Sequence, residues 1–249
     1  MTTHPDALPS AGADRERQVR RIFSEIAPRY DLLNHVLSMN IDRRWRRKAV
    51  DRLGWEGDAE GRYLDACAGT FDLSLELARR SRFEGTVVAA DFAFPMLAEG
   101  REKLGAAPVS PLCGDALSLP FADDTFSGAT VGFGVRNLSE LDRGLAELNR
   151  VLRPGARLVI LEFTEPPNAA VRALYHFYFR RVLPRVGRWV SGHPWAYTYL
   201  PESVKAFPGP EALEQRLRGA GFVDPGHRLL TFGIAALHWG TKAADPGRP

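Results

Sequence analysis

Residues 158–163 read Leu158-Val159-Ile160-Leu161-Glu162-Phe163, and the chain reaches them from Arg150-Val151-Leu152-Arg153 through Pro154-Gly155. An almost unbroken apolar run of this length reads as a buried strand, and the Pro-Gly pair before it marks the turn that ends a helix. Helix end, short turn and buried strand make the αβ step of a doubly wound sheet. Upstream, Phe133-Gly134-Val135-Arg136-Asn137 closes the apolar run 129–134. An Arg at the carboxyl end of a sheet strand stands where open α/β sheets bind their ligands.

The same alternation runs outward from this point. Strands are expected at 62–67, 86–90, 109–113, 128–133 and 158–163, with helices around 73–80, 95–104, 141–152 and 210–220. The stretch 227–241 reads as one or two closing strands. Short connections between helices and strands predict a mainly parallel sheet covered on both faces. Residues 1–15, rich in Pro, Ala, Ser and Gly, read as a disordered leader. The remainder, 16–249, reads as one domain carrying two additions. The first is a helical cap over about 17–53, with one stripe at Val19, Ile22, Phe23 and Ile26, another at Leu32, Leu33, Val36 and Leu37, and the basic run Arg43-Arg44-Trp45-Arg46-Arg47-Lys48 behind them. The second is an aromatic, basic insertion over about 168–208.

The composition is that of a soluble globular protein: 45% hydrophobic, 25% charged, net charge +3. That mild basic bias does not call for nucleic acid. Cys67 and Cys113 are too few for a disulfide framework or a Cys-based zinc site, so no metal is expected and a reducing cytoplasm is. No apolar run is long enough for a membrane span, and the first residues lack the apolar region of a signal peptide.

Ile26-Ala27-Pro28-Arg29-Tyr30-Asp31, Phe133-Gly134-Val135-Arg136-Asn137, Arg150 to Phe163 and Tyr199-Leu200-Pro201-Glu202-Ser203 together resemble one family. It is the S-adenosylmethionine-dependent C-methyltransferases that complete menaquinone and ubiquinone, and the likeness runs from about Val19 to Thr241. The resemblance implies a Rossmann-like class I methyltransferase with a seven-stranded, mainly parallel sheet. It also implies S-adenosylmethionine as cofactor and a polyprenyl quinol, most simply demethylmenaquinol, as substrate. A greasy substrate in turn implies contact with a membrane surface from the cytoplasmic side. A homodimer is the further partner considered, and nucleic acid is not one.

The family pattern carries over residue by residue. Asp65, Gly69 and Thr70 belong to the loop after the first strand, around the methionine part. Asp91 takes the place of the acid that binds the ribose hydroxyls, and Asp115 with Ala116 fits the adenine step. Gly132 lies on the fourth strand beneath the cofactor. Two of these have a plain structural alternative, a helix N-cap for Asp91 and a solvated turn for Asp115. The loop departs from the family at Ala68 and at Phe71, where Gly is usual. A bulky residue at a position of positive φ costs about 1–2 kcal/mol. Either Phe71 crowds the methionine pocket, or its ring turns into the apolar layer under the next helix. The first outcome would favour a non-catalytic or differently specific binding subunit. A dinucleotide oxidoreductase is excluded because 66–71 lacks the Gly-x-Gly-x-x-Gly fingerprint.

Methyl transfer to a ring carbon is helped by ionising the neighbouring phenol, whose ordinary pKa lies near 10. Arg136 is the candidate for holding that oxygen as an anion, unless it pairs with Glu162 or Asp123. Asn137 would orient the oxygen or cap a helix. General-base candidates are Tyr175, His176, Tyr178, His193 and Tyr197, and no spacing singles one out. The stretch Leu174 to Val190 reads as an amphipathic lid or as an ordinary basic helix face.

Overall fold

The computed structural model describes residues 13–29, 38, 40–178, 181 and 196–244. Helix α1 spans Ala13–Ile26 and continues into a 3₁₀ turn, Ala27–Arg29, where Pro28 ends it. It begins inside the stretch expected to be leader. The second stripe of the cap, Leu32 to Leu37, lies outside the described residues, as do Tyr30 and Asp31. Helix α2, Ile41–Leu53, buries Asp42, Trp45, Arg46, Ala49, Val50 and Leu53, a single face at three- and four-residue spacing.

The alternating part follows as β1 (Arg62–Ala66), α3 (Asp72–Ala78), β2 (Thr86–Asp91), α4 (Phe94–Leu104), β3 (Val109–Cys113), β4 (Phe126–Gly132), α5 (Leu141–Val151) and β5 (Leu152–Phe163). Helices α6 (Ala169–Phe177) and α7 (Ala196–Ala206) form the described part of the insertion. The chain closes with α8 (Pro210–Gly219), β6 (Phe222–Leu230) and β7 (Ala235–Lys242).

Seven strands form one sheet in the order β3-β2-β1-β4-β5-β7-β6. Neighbours from β3 to β5 are parallel, while β7 runs antiparallel to both β5 and β6. The sheet is thus seven-stranded with one reversed strand, a Rossmann-like fold of the class I methyltransferase kind.

Both faces of the sheet are covered, and the strands show it residue by residue. Val87, Ala89, Val159 and Leu161 pack with Trp45, Val50 and Leu73 on one face. Val88, Ala90, Leu158 and Ile160 pack with Leu145, Leu148, Leu213 and Leu217 on the other. Side chains alternate along a strand, so burial on both faces demands the continuous apolar runs seen in the sequence.

Strand β5 begins at Leu152, earlier than its apolar run suggests. Phe126 pairs with Leu152 but Gly128 pairs with Arg157, so the Pro154-Gly155 segment is accommodated as a bulge inside the strand rather than as a turn before it. Gly155 supplies the positive φ, 80°, that such a bulge uses.

Candidate active site

Strand order reverses between β1 and β4, whose neighbours lead away in opposite directions. Ligands of open α/β sheets bind at the carboxyl ends beside such a switch point. A solvent-open cleft of about 590 Å³ lies there, joined to a smaller hollow of about 330 Å³ by Cys67, Gly69, Gly132 and Phe133, which line both. Asp91, Asp115, Ala116 and Asn137 line the larger one, and Asp65, Thr70 and Asp72 the smaller.

The loop after β1 is held from below. Asp65 Oδ2 accepts from the Ser74 backbone N–H at 2.9 Å and the Ser74 hydroxyl at 2.6 Å, while Oδ1 accepts from the Thr130 hydroxyl at 3.0 Å. One buried carboxylate therefore ties β1, α3 and β4 together. Burial pushes its pKa up to about 6 against the lowering effect of those bonds. Asp65 thus serves as a structural staple of the loop.

Phe71 takes the second of the alternatives drawn from sequence, with its ring in the apolar layer, and it does so at a positive φ. Its φ is 71°, so the left-handed conformation is real, and its side chain is 0% exposed in the layer with Leu73, Leu75 and Leu97. Gly100 on α4 leaves room for the ring: a Cβ there would stand 2.7 Å from Phe71 Cδ2. The ring lines neither hollow. Cys67 (φ 55°) and Phe133 (φ 57°) are also left-handed, which concentrates backbone strain around the cleft.

Asp91 ends β2 and reaches back across the cleft. Its Oδ2 accepts from the Gly69 N–H and its Oδ1 from the Ala93 N–H, both at 2.8 Å. Burial raises its pKa, and these two donors oppose the rise. Each carboxylate oxygen has two lone pairs, so one per oxygen remains for a vicinal diol. Asp115 Oδ1 accepts from the Leu117 N–H at 2.9 Å, fixing the turn that carries Ala116. Gly132 has its own reason to be glycine, since a Cβ there would meet Leu73 Cδ1 at 2.6 Å. At Gly134 a Cβ would fall 2.3 Å from that of Cys67, so the loops after β1 and β4 touch. Asp91 with a lone pair free on each oxygen, the Gly69 backbone and the Asp115–Ala116 turn are groups of the kinds that the ribose, methionine and adenine portions of S-adenosylmethionine call for.

Arg136 departs from its expected place. It is 7% exposed and is not among the residues lining the cleft; its Nη1 donates to Glu162 Oε1 at 2.6 Å and to the Phe133 carbonyl at 2.5 Å. The ion pair with Glu162 is therefore the alternative realised, and Asp123 instead pairs with Arg150 at 2.7 Å. Glu162 is wholly buried; burial raises its pKa, and the guanidinium beside it opposes the rise. Arg15 on α1 donates to the Arg136 carbonyl at 2.8 Å, tying the cap to the same turn. Asn137 does line the cleft. It caps no helix; its Nδ2 donates to the Phe133 carbonyl at 3.2 Å and its Oδ1 accepts from the Tyr199 hydroxyl at 2.6 Å.

Among the base candidates, burial pushes the phenols of Tyr175 and Tyr178 above their ordinary range. Such a phenol is a donor at neutral pH and a poor base. His176 Nε2 lies 3.4 Å from Glu165 Oε1. His193 and the side chain of Tyr197 lie outside the described residues, as does most of the expected lid beyond Tyr178. Sequence reasoning missed Glu16, Phe23 and Met96, which line the cleft, and Tyr199, which anchors Asn137. Phe23 was visible only as one member of an apolar stripe, and Tyr199 stood in a segment that carried resemblance without a role.

The sequence profile of the ubiE/COQ5 methyltransferase family matches residues 12–242. The demethylmenaquinone methyltransferase of Thermus thermophilus is 52% identical over 223 residues, 89% of this chain and 100% of the relative. The ubiquinone/menaquinone biosynthesis C-methyltransferase UbiE of Geobacter sulfurreducens is 44% identical over 234 residues, 92% and 90% of the two chains. In three dimensions, the [4+2]-cyclase SpnF aligns with a TM-score of 0.69 over 96% of this chain and 99% of its own, at 17% identity. A SAM-dependent methyltransferase of Thermotoga maritima aligns at 0.63 over 90% and 99%, at 19% identity; these two likenesses speak to fold alone. With nearly its whole length matched, this chain belongs to the ubiE/COQ5 methyltransferase family.

Proposed function

We propose that this protein transfers the methyl group of S-adenosylmethionine to a ring carbon of a polyprenyl hydroquinone, converting a demethylmenaquinol to a menaquinol. The observation that carries this reading is Asp91, bonded to the Gly69 N–H at the switch point of a methyltransferase sheet. The names of the Thermus and Geobacter relatives supply the substrate class.

In this reading Asp65, Gly69 and Thr70 surround the methionine part and Asp91 takes the ribose diol. Asp115 and the Ala116 N–H meet the adenine, and Gly132 forms the floor. The sulfonium supplies an electrophilic methyl group, so the protein's work is to orient the ring and favour its phenolate. Asn137, which lines the cleft and is fixed by Tyr199, is the polar side chain assigned to that task. Arg136 contributes its positive charge from behind, and meets the substrate oxygen directly only by exchanging Glu162.

Membrane contact and self-association as a homodimer belong to the same proposal. Among the described residues no helix is long and apolar enough to cross a membrane. Leu174, Phe177 and Phe232 are exposed on segments that adjoin the carboxyl end of β5, which suits docking onto a lipid surface. A non-catalytic role rested on Ala68 and Phe71, and the buried ring removes its main support.

The test is calorimetric titration with S-adenosylmethionine followed by assay with a demethylmenaquinol. Arg136→Lys keeps charge but loses the planar fork. It is expected to slow methyl transfer at least tenfold while cofactor affinity changes less than twofold. Absence of binding at millimolar cofactor overturns the reading.

A further inference from the structure

The basic run 43–48 has no part in the function so far, and the structure separates its members. Arg43, Arg44, Arg47 and Lys48 are exposed, whereas Arg46 is 7% exposed. Burying a guanidinium is costly unless carboxylates compensate it. Arg46 has two: Nη1 bonds Asp42, one turn earlier on α2, and Nη2 pairs with Asp72 at 3.0 Å, the first residue of α3. Asp72 in turn pairs with Lys103 at 2.9 Å, which makes the group of four neutral overall.

Arg46 also lines the smaller hollow, together with Asp65, Thr70 and Asp72. That hollow opens beside Gly69, where the proposed cofactor's methionine end would lie. A methionine end is a zwitterion, and a neutral cluster with one guanidinium and nearby carboxylates complements both of its charges. Two carboxylates occupy two of the five N–H donors of Arg46, and a planar fork can still offer a paired face to a third.

We infer that Arg46 is the anchor for the α-carboxylate of S-adenosylmethionine, so that α2, a helix outside the sheet, completes the cofactor site and selects ligands that keep an amino-acid end. This rests on the proposed function above. Asp42 is then a positioning residue that fixes the fork from behind, with its own Oδ1 accepting from Ser38 at 2.5 Å.

The experiment compares ligands that share the nucleoside but differ at the carboxylate: S-adenosylhomocysteine and 5′-methylthioadenosine, each titrated calorimetrically. Because Arg46→Gln leaves Asp42 buried opposite a neutral side chain, Asp42→Asn/Arg46→Gln is measured beside it, and thermal melting confirms folding. The expected result is a loss of ten- to a hundredfold in affinity for S-adenosylhomocysteine in both variants, with methylthioadenosine changed less than threefold. Arg46→Lys should recover part of the loss. Equal weakening of both ligands would make Arg46 merely structural and overturn the inference, as would unchanged binding of S-adenosylhomocysteine. If wild-type protein binds neither ligand, it is the cofactor reading itself that falls.

Discussion

The two halves of the cleft are held in place by different means. On the β1–β2 side, Asp65 bonds Ser74 nine positions away and Asp91 bonds Ala93 and Gly69, so one βαβ unit nearly suffices to build it. On the β4–β5 side, Arg136 leans on Glu162, Asn137 on Tyr199 sixty-two positions on, and the Arg136 carbonyl on Arg15 from the first helix. The first half is local and backbone-rich; the second is a set of long-range side-chain ties. A local half forms as soon as its strands pair, whereas the other exists only when the whole chain, cap and insertion included, is in place.

The contrast breaks most visibly at Glu162. Glu162→Ala leaves the Arg136 guanidinium buried without its carboxylate, and urea unfolding should show a loss of about 3–5 kcal/mol. If the loss is under about 1 kcal/mol, the β4–β5 side is not held by this pair. Asp91→Ala acts on the other half. It should weaken S-adenosylmethionine binding by about 1.5–3 kcal/mol, the range for hydrogen bonds involving a charged group. Calorimetry that finds unchanged affinity would take the ribose role from Asp91.

Asp65 sharpens the comparison through pH. Its pKa rises from 3.8 in an ordinary setting to about 6 here, so between those values the folded protein holds a proton that the unfolded chain releases. Stability from this group is therefore greatest below about pH 4 and falls as pH climbs to about 6. Thermal melts across that window should fall less steeply in Asp65→Asn than in wild type; identical slopes would refute the assignment. The smallest effect is expected at Tyr199→Phe, which removes one hydrogen bond to Asn137. It should cost about 0.5–1.5 kcal/mol in denaturant unfolding and raise KM for the quinol more than it alters cofactor affinity.

The same division explains what the sequence reveals. Strand β2 and the 158–161 run of β5 are legible because burial on both faces writes itself as unbroken apolar runs, and Asp91 is legible because it ends β2. The start of β5 is not, since Pro154-Gly155 has the chemistry of a turn and only pairing with β4 turns it into a bulge. Strand β6 hides for a related reason. It lies at the sheet edge, its residues are largely exposed, and its register slips between Val223 and Gly226 around Pro225. Arg136 was recognisable as important, but its neighbour was undecided because choosing between Glu162 and Asp123 requires knowing which strands adjoin. Arg46 could not be told from four other cations until the helix showed which face it buries.

Phe71 carries a consequence for the thermodynamics of ligand capture. A loop built from successive glycines is ordered largely by the ligand it grips, and the loss of its freedom subtracts from affinity. Here the loop from Ala68 to Asp72 is pinned beforehand by a ring seated against Gly100 on α4. On the proposed cofactor reading, the strain of one left-handed phenylalanine is thus exchanged for a smaller entropic penalty at each binding event, because the loop is ordered before the ligand arrives.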